Sequence, residues 1–285
     1  MDQITFEQIA AEVDGRYDKG PFDIIGDIHG CLDELKELLV QIGYVEIEIG
    51  ENLWTMSKSY YQHPAGRKAI FLGDFGDRGP KSVGVLELAQ LMIHYGSARA
   101  VIGNHDNKLL KKLCGHDVRV SRGLECTMSE IENIPESLQQ NWLTRTIEFL
   151  SSLPGHYVLD EGKLVVAHAG MKAEFQGRDS KEIRNFALYG ETNGQVDSDG
   201  MPIRLPWAKD YRGQALVVFG HTVVPEPEWL NSTVNIDTGC VFGGKLTALR
   251  YPENEIIQVQ AKELYWTANN PFLKSKESRE ANNLL

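Results

Sequence analysis

Apolar residues along this chain follow two rhythms. Short apolar-rich runs recur, each cut off by glycine, and between them lie longer stretches with apolar residues three and four apart. Phe22–Ile25 and Ala69–Leu72 are such runs, both ending in Gly-Asp, and Ala98–Ile102 is a third, ending in Gly-Asn-His. Runs this short predict buried strands. Between them the spacing predicts an amphipathic helix over 33–41, stopped at Gly43, and a second helix over 82–94. Strand, polar loop and helix in repeated succession predict βαβ units, with a site built on loops at the carboxyl ends of the strands.

The rest of the chain divides in the same way. Ile4, Phe6, Ile9 and Val13 stand near helical spacing, with Thr5 as a candidate cap and a turn-rich link running to Pro21. Residues 45–67 read as a hairpin or irregular insertion. Residues 106–160 read as mostly helix, apart from a polar segment around 115–123 and the turn at Pro154-Gly155. Beyond them, 164–167, 215–219, 233–236, 246–251 and 256–259 predict strands separated by turns. The expected architecture is therefore α/β, a second sheet packed against the first with helices on the outer faces. We expect one domain over 1–285, with 1–20 as an N-terminal helix and link and 267–285 as a polar tail.

Composition narrows the class. About 42% of the 285 residues are apolar and 24% charged, as in ordinary globular proteins. The formal net charge of −11, from 40 acidic and 29 basic side chains, opposes broad binding to long nucleic acid but not a local basic pocket. The four cysteines, Cys31, Cys114, Cys126 and Cys240, form no CxxC pair, so reduced thiols and a cytoplasmic location are expected. The N-terminus has no signal-peptide pattern, and no apolar stretch reaches the ~20 residues a membrane span needs.

Five loops carry the chemistry: Gly26-Asp27-Ile28-His29-Gly30, Gly73-Asp74-Phe75-Gly76-Asp77-Arg78-Gly79, Gly103-Asn104-His105-Asp106, Val166-Ala167-His168-Ala169-Gly170 and Phe219-Gly220-His221-Thr222. Each sets Asp, His or Asn beside glycine just after an expected strand. This mixture of oxygen and imidazole donors suits Mn²⁺, Fe or Zn²⁺ better than Mg²⁺ or Ca²⁺. Two divalent ions about 4 Å apart need a bridging carboxylate and several terminal ligands. Asp27 and His29 can serve one ion, and Asn104, His168 and His221 the other, with Asp74 as the bridge. His105 then stands free to protonate a leaving oxygen, Asp77 can orient its imidazole, and Arg78 offers a planar fork to a phosphoryl group.

The order GDxHG, GDxxDRG, GNHD, HAG, GHT, spanning 26–222, resembles the calcineurin-like metallophosphoesterases, in their phosphoprotein-phosphatase branch. The resemblance implies a metallophosphoesterase β-sandwich of two mixed sheets flanked by helices, and the family's roles fall on the positions just assigned. It implies two divalent ions, first of all Mn²⁺, with Fe, Zn or Ni as alternatives. FALYGETNG (186–194), 206–231 and NIDTGCVFGGKLTALRYPE (235–253) are further similar to two bacterial groups. These are the PrpE-type symmetrical diadenosine tetraphosphatases and the phosphatase module of polynucleotide kinase-phosphatase. Within that likeness Asp237 is expected to support the site. The expected reaction is symmetrical splitting of a dinucleoside tetraphosphate into two nucleoside diphosphates. The alternatives are a polynucleotide 2′,3′-phosphatase acting on nucleic-acid ends and a protein phosphatase. Ile102 and Asp106 stand where many protein phosphatases of this branch have Arg and Glu, which disfavours the last. A small nucleotide is the expected partner, with no membrane and no inferable protein partner.

Three signals remain. Lys108, Lys111, Lys112, Arg119 and Arg122 form a basic run that is either a solvated face or a rim for extra phosphates, with Lys108 as its candidate substrate contact. No second phosphate-binding arginine is assigned; Arg178, Arg184, Arg204 and Arg212 all lie between the two metal histidines. Gly239–Lys245 has the spacing of a phosphate-binding P-loop, but Leu246 follows where Ser or Thr is needed and a strand where a helix is needed, so it is rejected. Cys31, beside the first loop, is read as a packing residue.

Overall fold

The computed structural model describes residues 14–50, 55–196 and 202–267. The helix expected over 4–13 and the tail beyond 267 lie outside them. A two-residue strand, Asp14–Gly15 (β1), stands in the stretch read as a link. It is followed by β2 (Phe22–Ile25), α1 (Leu32–Gln41), β3 (Val45–Glu48), β4 (Ser59–Gln62), β5 (Lys68–Phe71), α2 (Ser82–His94) and β6 (Ala98–Ala100). Three helices come next: α3 (Asn104–Leu113), α4 (Leu124–Glu132) and α5 (Glu136–Ser152). The second half holds β7 (His156–Leu159), β8 (Leu164–Ala167), α6 (Lys181–Tyr189), β9 (Thr192–Val196) and β10 (Pro202–Arg204). It closes with β11 (Leu216–Phe219), β12 (Glu228–Leu230), β13 (Thr233–Asn235), β14 (Lys245–Tyr251) and β15 (Glu255–Gln260).

The strands form two mixed sheets and two small hairpins. One sheet runs β15-β14-β2-β5-β6 and the other β1-β7-β8-β11-β13-β12. In the first, β2, β5 and β6 are parallel, joined by α1 and α2 as expected of βαβ units. In the second, β8, β11 and β13 are parallel. The alternation of side chains explains how the sheets meet. Phe22, Ile24, Ile70 and Leu249 face Leu164, Val166, Val218 and Val234 in one buried layer between the sheets. Ile25, Phe71 and Ala248 point the other way, into a layer built with α1, α2 and α5. Val165, Val217 and Phe219 pack outward against α6 and Trp207. On α1, Leu35, Leu38 and Leu39 are wholly buried, each contributing about 1.5–3 kcal/mol. The helix ends where Gly43 takes φ 96°, a conformation that favours glycine.

The helical reading of 106–160 needs one correction. His156–Leu159 is a strand, paired antiparallel with β8 at Val158–Val165. Four buried apolar-rich residues carry no readable period, and the neighbouring strand decided their state. α6, β1, β12 and the β9–β10 hairpin went unread. β9 (TNGQV) is exposed throughout, and β1, β10 and β12 are only two or three residues long. The rejected P-loop is confirmed as such, because β14 begins at Lys245.

Candidate active site

The five motif loops leave the carboxyl ends of β2, β5, β6, β8 and β11, all members of parallel sets. Adjacent strands lie about 4.8 Å apart, so residues just past their ends converge. The first two loops are bonded to each other, His29 N–H to the Asp74 carbonyl at 2.8 Å and Gly30 N–H to the Phe75 carbonyl at 2.8 Å. His29, Asp74, Asp77, Arg78 and His221 all have positive φ, between 46° and 71°. Strained backbone of this kind persists only where the surroundings hold it, and here it gathers in the loops. Gly103 and Gly220 are required by contact. A Cβ on Gly103 would lie 2.1 Å from Asp74 Oδ1, and one on Gly220 would lie 2.2 Å from Asp27 Oδ1.

Two donor clusters result, and they share Asp74. Ligand atoms of His29, Asp74 and His105 lie within 4.8 Å of one another, as do those of Asp74, His168 and His221. Asp74 Oδ2 is 3.5 Å from both His29 Nε2 and His168 Nε2. His29 donates from Nδ1 to the Gly76 carbonyl at 2.8 Å, and His168 from Nδ1 to the Leu72 carbonyl at 2.9 Å. A carbonyl only accepts, so each Nε2 lone pair faces the site. His168 Nε2 meets Asn104 Oδ1 at 2.9 Å and His221 Nδ1 at 3.0 Å. Asp27 accepts the His221 N–H at 3.1 Å, and the buried carboxylate of Asp237 stands near it.

Charges in the site are unbalanced. Burial raises Asp27 and Asp74 well above the usual carboxylate range, and neighbouring carboxylates add to it, Asp237 and Asp74 for the first, Asp106 for the second. Burial pushes Asp237 up to about 6. Burial lowers His29 and His105 well below 6.5, helped by Arg78, and burial pulls His168 down to about 3. Carboxylates go up and imidazoles go down, so the cluster resists being charged until a cation enters.

Two arginines border the clusters. Arg78 donates Nη1 to His29 Nε2 at 2.7 Å and Nη2 to His105 Nε2 at 2.9 Å, with its guanidinium 5.3 Å from the Phe242 ring centre. Arg204, on β10, donates to Thr222 Oγ1 at 3.1 Å and feels Asp237, Asp74 and Asp27. The other three candidates are engaged elsewhere, Arg178 with the Glu174 carbonyl, Arg184 with the Leu153 carbonyl and Arg212 with the carbonyls of Lys209 and Tyr211.

Residues 20–225 match the family of calcineurin-like phosphoesterases. The chain belongs to that family. It is a metal-dependent phosphoesterase. The chain is 45% identical over 244 residues to a protein of Anoxybacillus flavithermus, covering 86% of this chain and 96% of that one. It is 45% identical over 239 residues to a protein of Bacillus thuringiensis, covering 84% and 93%. Both are named bis(5′-nucleosyl)-tetraphosphatase PrpE [asymmetrical]. A crystal structure described as a candidate diadenosine tetraphosphatase superposes with a TM-score of 0.58 at 25% identity, covering 90% of this chain and 98% of that one. A serine/threonine phosphatase of Saccharomyces cerevisiae shares the fold, with a TM-score of 0.55 at 16% identity, covering 93% and 87%.

The donors of this phosphoesterase suit the divalent metals its family uses. Imidazole lone pairs, carboxylates and an amide oxygen converge, and His221 Nε2 is buried with no hydrogen-bond partner among the described residues. Residues given no role in the sequence reading hold the loops in place. Asp106 accepts from the N–H groups of Asp74, Phe75 and Gly103 at 2.7–2.9 Å. Thr127 donates to Asp77 Oδ1 at 2.8 Å and, with Ser82, accepts the Asp77 N–H. A signal for Asp106 was present, since it completes GNHD at the start of α3. Thr127 had none. Asp77 in turn bonds His105 Nδ1 at 2.6 Å through Oδ2. Lys108 Nζ donates to the Ser121 carbonyl at 2.7 Å, and its charge acts on Asp77 and His105. Lys111, Arg119 and Arg122 are exposed. No described helix is long and apolar enough to cross a membrane.

Proposed function

We propose that this phosphoesterase is a bis(5′-nucleosyl)-tetraphosphatase that splits its substrate asymmetrically, into a nucleoside triphosphate and a nucleoside monophosphate. The observation that carries the site is Asp74 Oδ2, equidistant at 3.5 Å from His29 Nε2 and His168 Nε2, as a shared carboxylate must be. The substrate class rests on relatives 45% identical over most of both chains that bear this name. Their names also specify the asymmetrical split. The symmetrical one expected from the sequence finds no support in them.

Asp27, His29 and Asp74 would hold one divalent ion, and Asp74, Asn104, His168 and His221 the other, with Mn²⁺ as the first choice. When bound, the ions supply Lewis acidity at phosphoryl oxygens and an activated water. The chain's own residues do the rest. Arg78 and Arg204 receive the polyphosphate, each as a fork of donors. As a phosphoryl group takes up Arg78, the guanidinium leaves the Nε2 atoms of His29 and His105. His105 Nε2 then no longer meets the guanidinium and lies beside an anion, so the imidazole takes up a proton from solvent. Asp77 fixes its tautomer through the 2.6 Å bond to Nδ1. Water adds to phosphorus and sheds one proton to solvent, the bond to the leaving nucleotide oxygen breaks, and His105 Nε2 delivers its proton to that oxygen. Asp237 keeps Asp27 in a field of negative charge that favours cation binding.

The test is turnover of diadenosine tetraphosphate by Mn²⁺-loaded protein with the products resolved. ATP plus AMP is the expected outcome. Two ADP molecules would restore the symmetrical split. Faster release of phosphate from 3′-phosphorylated oligonucleotides, or from phosphopeptides, would overturn the substrate class and leave the metal-dependent chemistry standing.

A further inference from the structure

Away from the histidines, two of the site loops meet through sulfur. Cys31 follows the first motif at the start of α1, and Cys240 stands three residues past Asp237 in the turn Cys240–Phe242. Both are buried, at 0% and 1% exposure, and so is Glu34 of α1, at 1%. Ligand atoms of Cys31, Glu34 and Cys240 lie within 4.8 Å of one another. None of the three belongs to the donor clusters around Asp74.

Glu34 is the informative member. Its Oε1 is fully used, accepting the Lys262 N–H at 2.9 Å and the Tyr265 hydroxyl at 2.7 Å. Its Oε2 is buried and has no hydrogen-bond partner among the described residues. A buried carboxylate oxygen left alone is costly and calls for a partner. The sulfurs of the cluster are weakly engaged. Cys31 Sγ donates to the His29 carbonyl at 3.7 Å, and the Cys240 sulfur lies within 4.8 Å of that of Cys31. A disulfide between the cysteines would leave Oε2 as it is. One cation held by the two sulfurs and this carboxylate would satisfy all three groups together.

We propose that Cys31, Glu34 and Cys240 form a separate structural zinc site. Two sulfurs with one carboxylate oxygen select a thiophilic ion such as Zn²⁺ over Mn²⁺ or Mg²⁺. The site joins three parts of the chain: the loop that carries Asp27 and His29, the loop that carries Asp237, and α1. The segment around Lys262 and Tyr265 closes over it through Glu34. Bound zinc sets the spacing between the two loops and leaves the chemistry at Asp74 to other ions.

Cobalt makes the test independent of activity. The probe is Co²⁺ titrated into metal-stripped full-length protein carrying Cys114→Ser and Cys126→Ser, so that only the buried thiols remain. The expected result is a sulfur-to-cobalt charge-transfer band in the near ultraviolet, erased by stoichiometric Zn²⁺. Nitrogen and oxygen donors produce no such band, so the result does not depend on how many ions the Asp74 clusters hold. Cys240→Ser should abolish it and lower the bound metal by one ion per chain, while the visible bands of the other cobalt ions persist. Absence of the band in the parent protein, with both thiols free by titration, would overturn the site. So would a mass lower by two hydrogens with unreactive thiols, which identifies a disulfide instead. Failure of Cys240→Ser to fold would leave the parent titration to decide.

Discussion

Strand β2 has a buried aspartate near its start and another just past its end, and the two are provided for in opposite ways. Asp23 meets Arg67 Nε at 3.1 Å and Nη2 at 3.0 Å, and Arg250 Nε at 3.3 Å. Arg67 is itself completed by the carbonyls of Phe22 and Tyr251 and by Glu253. Asp27, four residues on, has a backbone N–H for a partner and two more carboxylates, Asp237 and Asp74, for neighbours. Asp23 is neutralised from within the chain, so it contributes to holding the sheet. Asp27 has no ion pair among the described residues, and Arg78 and Arg204 act on it only at a distance, which leaves it open to a cation from outside. One strand thus shows how a fold separates a structural charge from a functional one.

The comparison can be broken most directly at Asp74. Replacing it with Asn should remove several kcal/mol of transition-state stabilisation, about 10³-fold in kcat or more. The same change removes a like charge, so the melting temperature of the metal-free protein should hold or rise. A fall in that temperature would mean Asp74 is structural, as Asp23 is. Next is His105→Ala, for which a loss of about 10²–10⁴-fold in kcat on diadenosine tetraphosphate is expected, with metal content unchanged. A loss of metal instead would make His105 a ligand, as its place beside His29 and Asp74 allows.

At the other end of β2, Arg67→Met should cost about 3–5 kcal/mol in urea unfolding, because it strands the buried Asp23. The kcat of the protein that remains folded should not change. Last comes His156, a buried titratable group supported without any cation. It accepts the Gly177 N–H at 3.0 Å, and burial lowers its pKa to about 4. Its folded value lies below the unfolded one, near 6.5. Its contribution is therefore complete above pH 6.5 and is lost as pH falls from there towards 4, by about 3 kcal/mol in all. His156→Gln should flatten that part of the stability profile, and an unaltered profile would assign the acid sensitivity to other groups.

Much of this could be read in the sequence, for a local reason. A buried parallel strand is a short apolar run, and the sharp loop beyond it needs glycine, so Gly-Asp and Gly-Asn-His mark both the strand end and the site. β2, α2 and β8 fall where the apolar pattern puts them. His156–Leu159 was misread because four residues have no period of their own. Arg204 was left among four equivalent arginines because nothing local distinguishes it. It is chosen by the β9–β10 hairpin, an exposed polar ribbon with no hydrophobic signature.

The sequence by itself determined which residue types would line the site, and on which loops, because strand burial and turn geometry are short-range properties. Only the tertiary structure decided which of those residues touch. It placed Asp74 between His29 and His168, set Asp106 beneath three backbone N–H groups, and brought Cys31 against Cys240 across more than two hundred residues. Such pairings depend on which strands lie side by side and on how the two sheets face each other. Those arrangements follow from burial summed over the whole chain, and no local pattern encodes them.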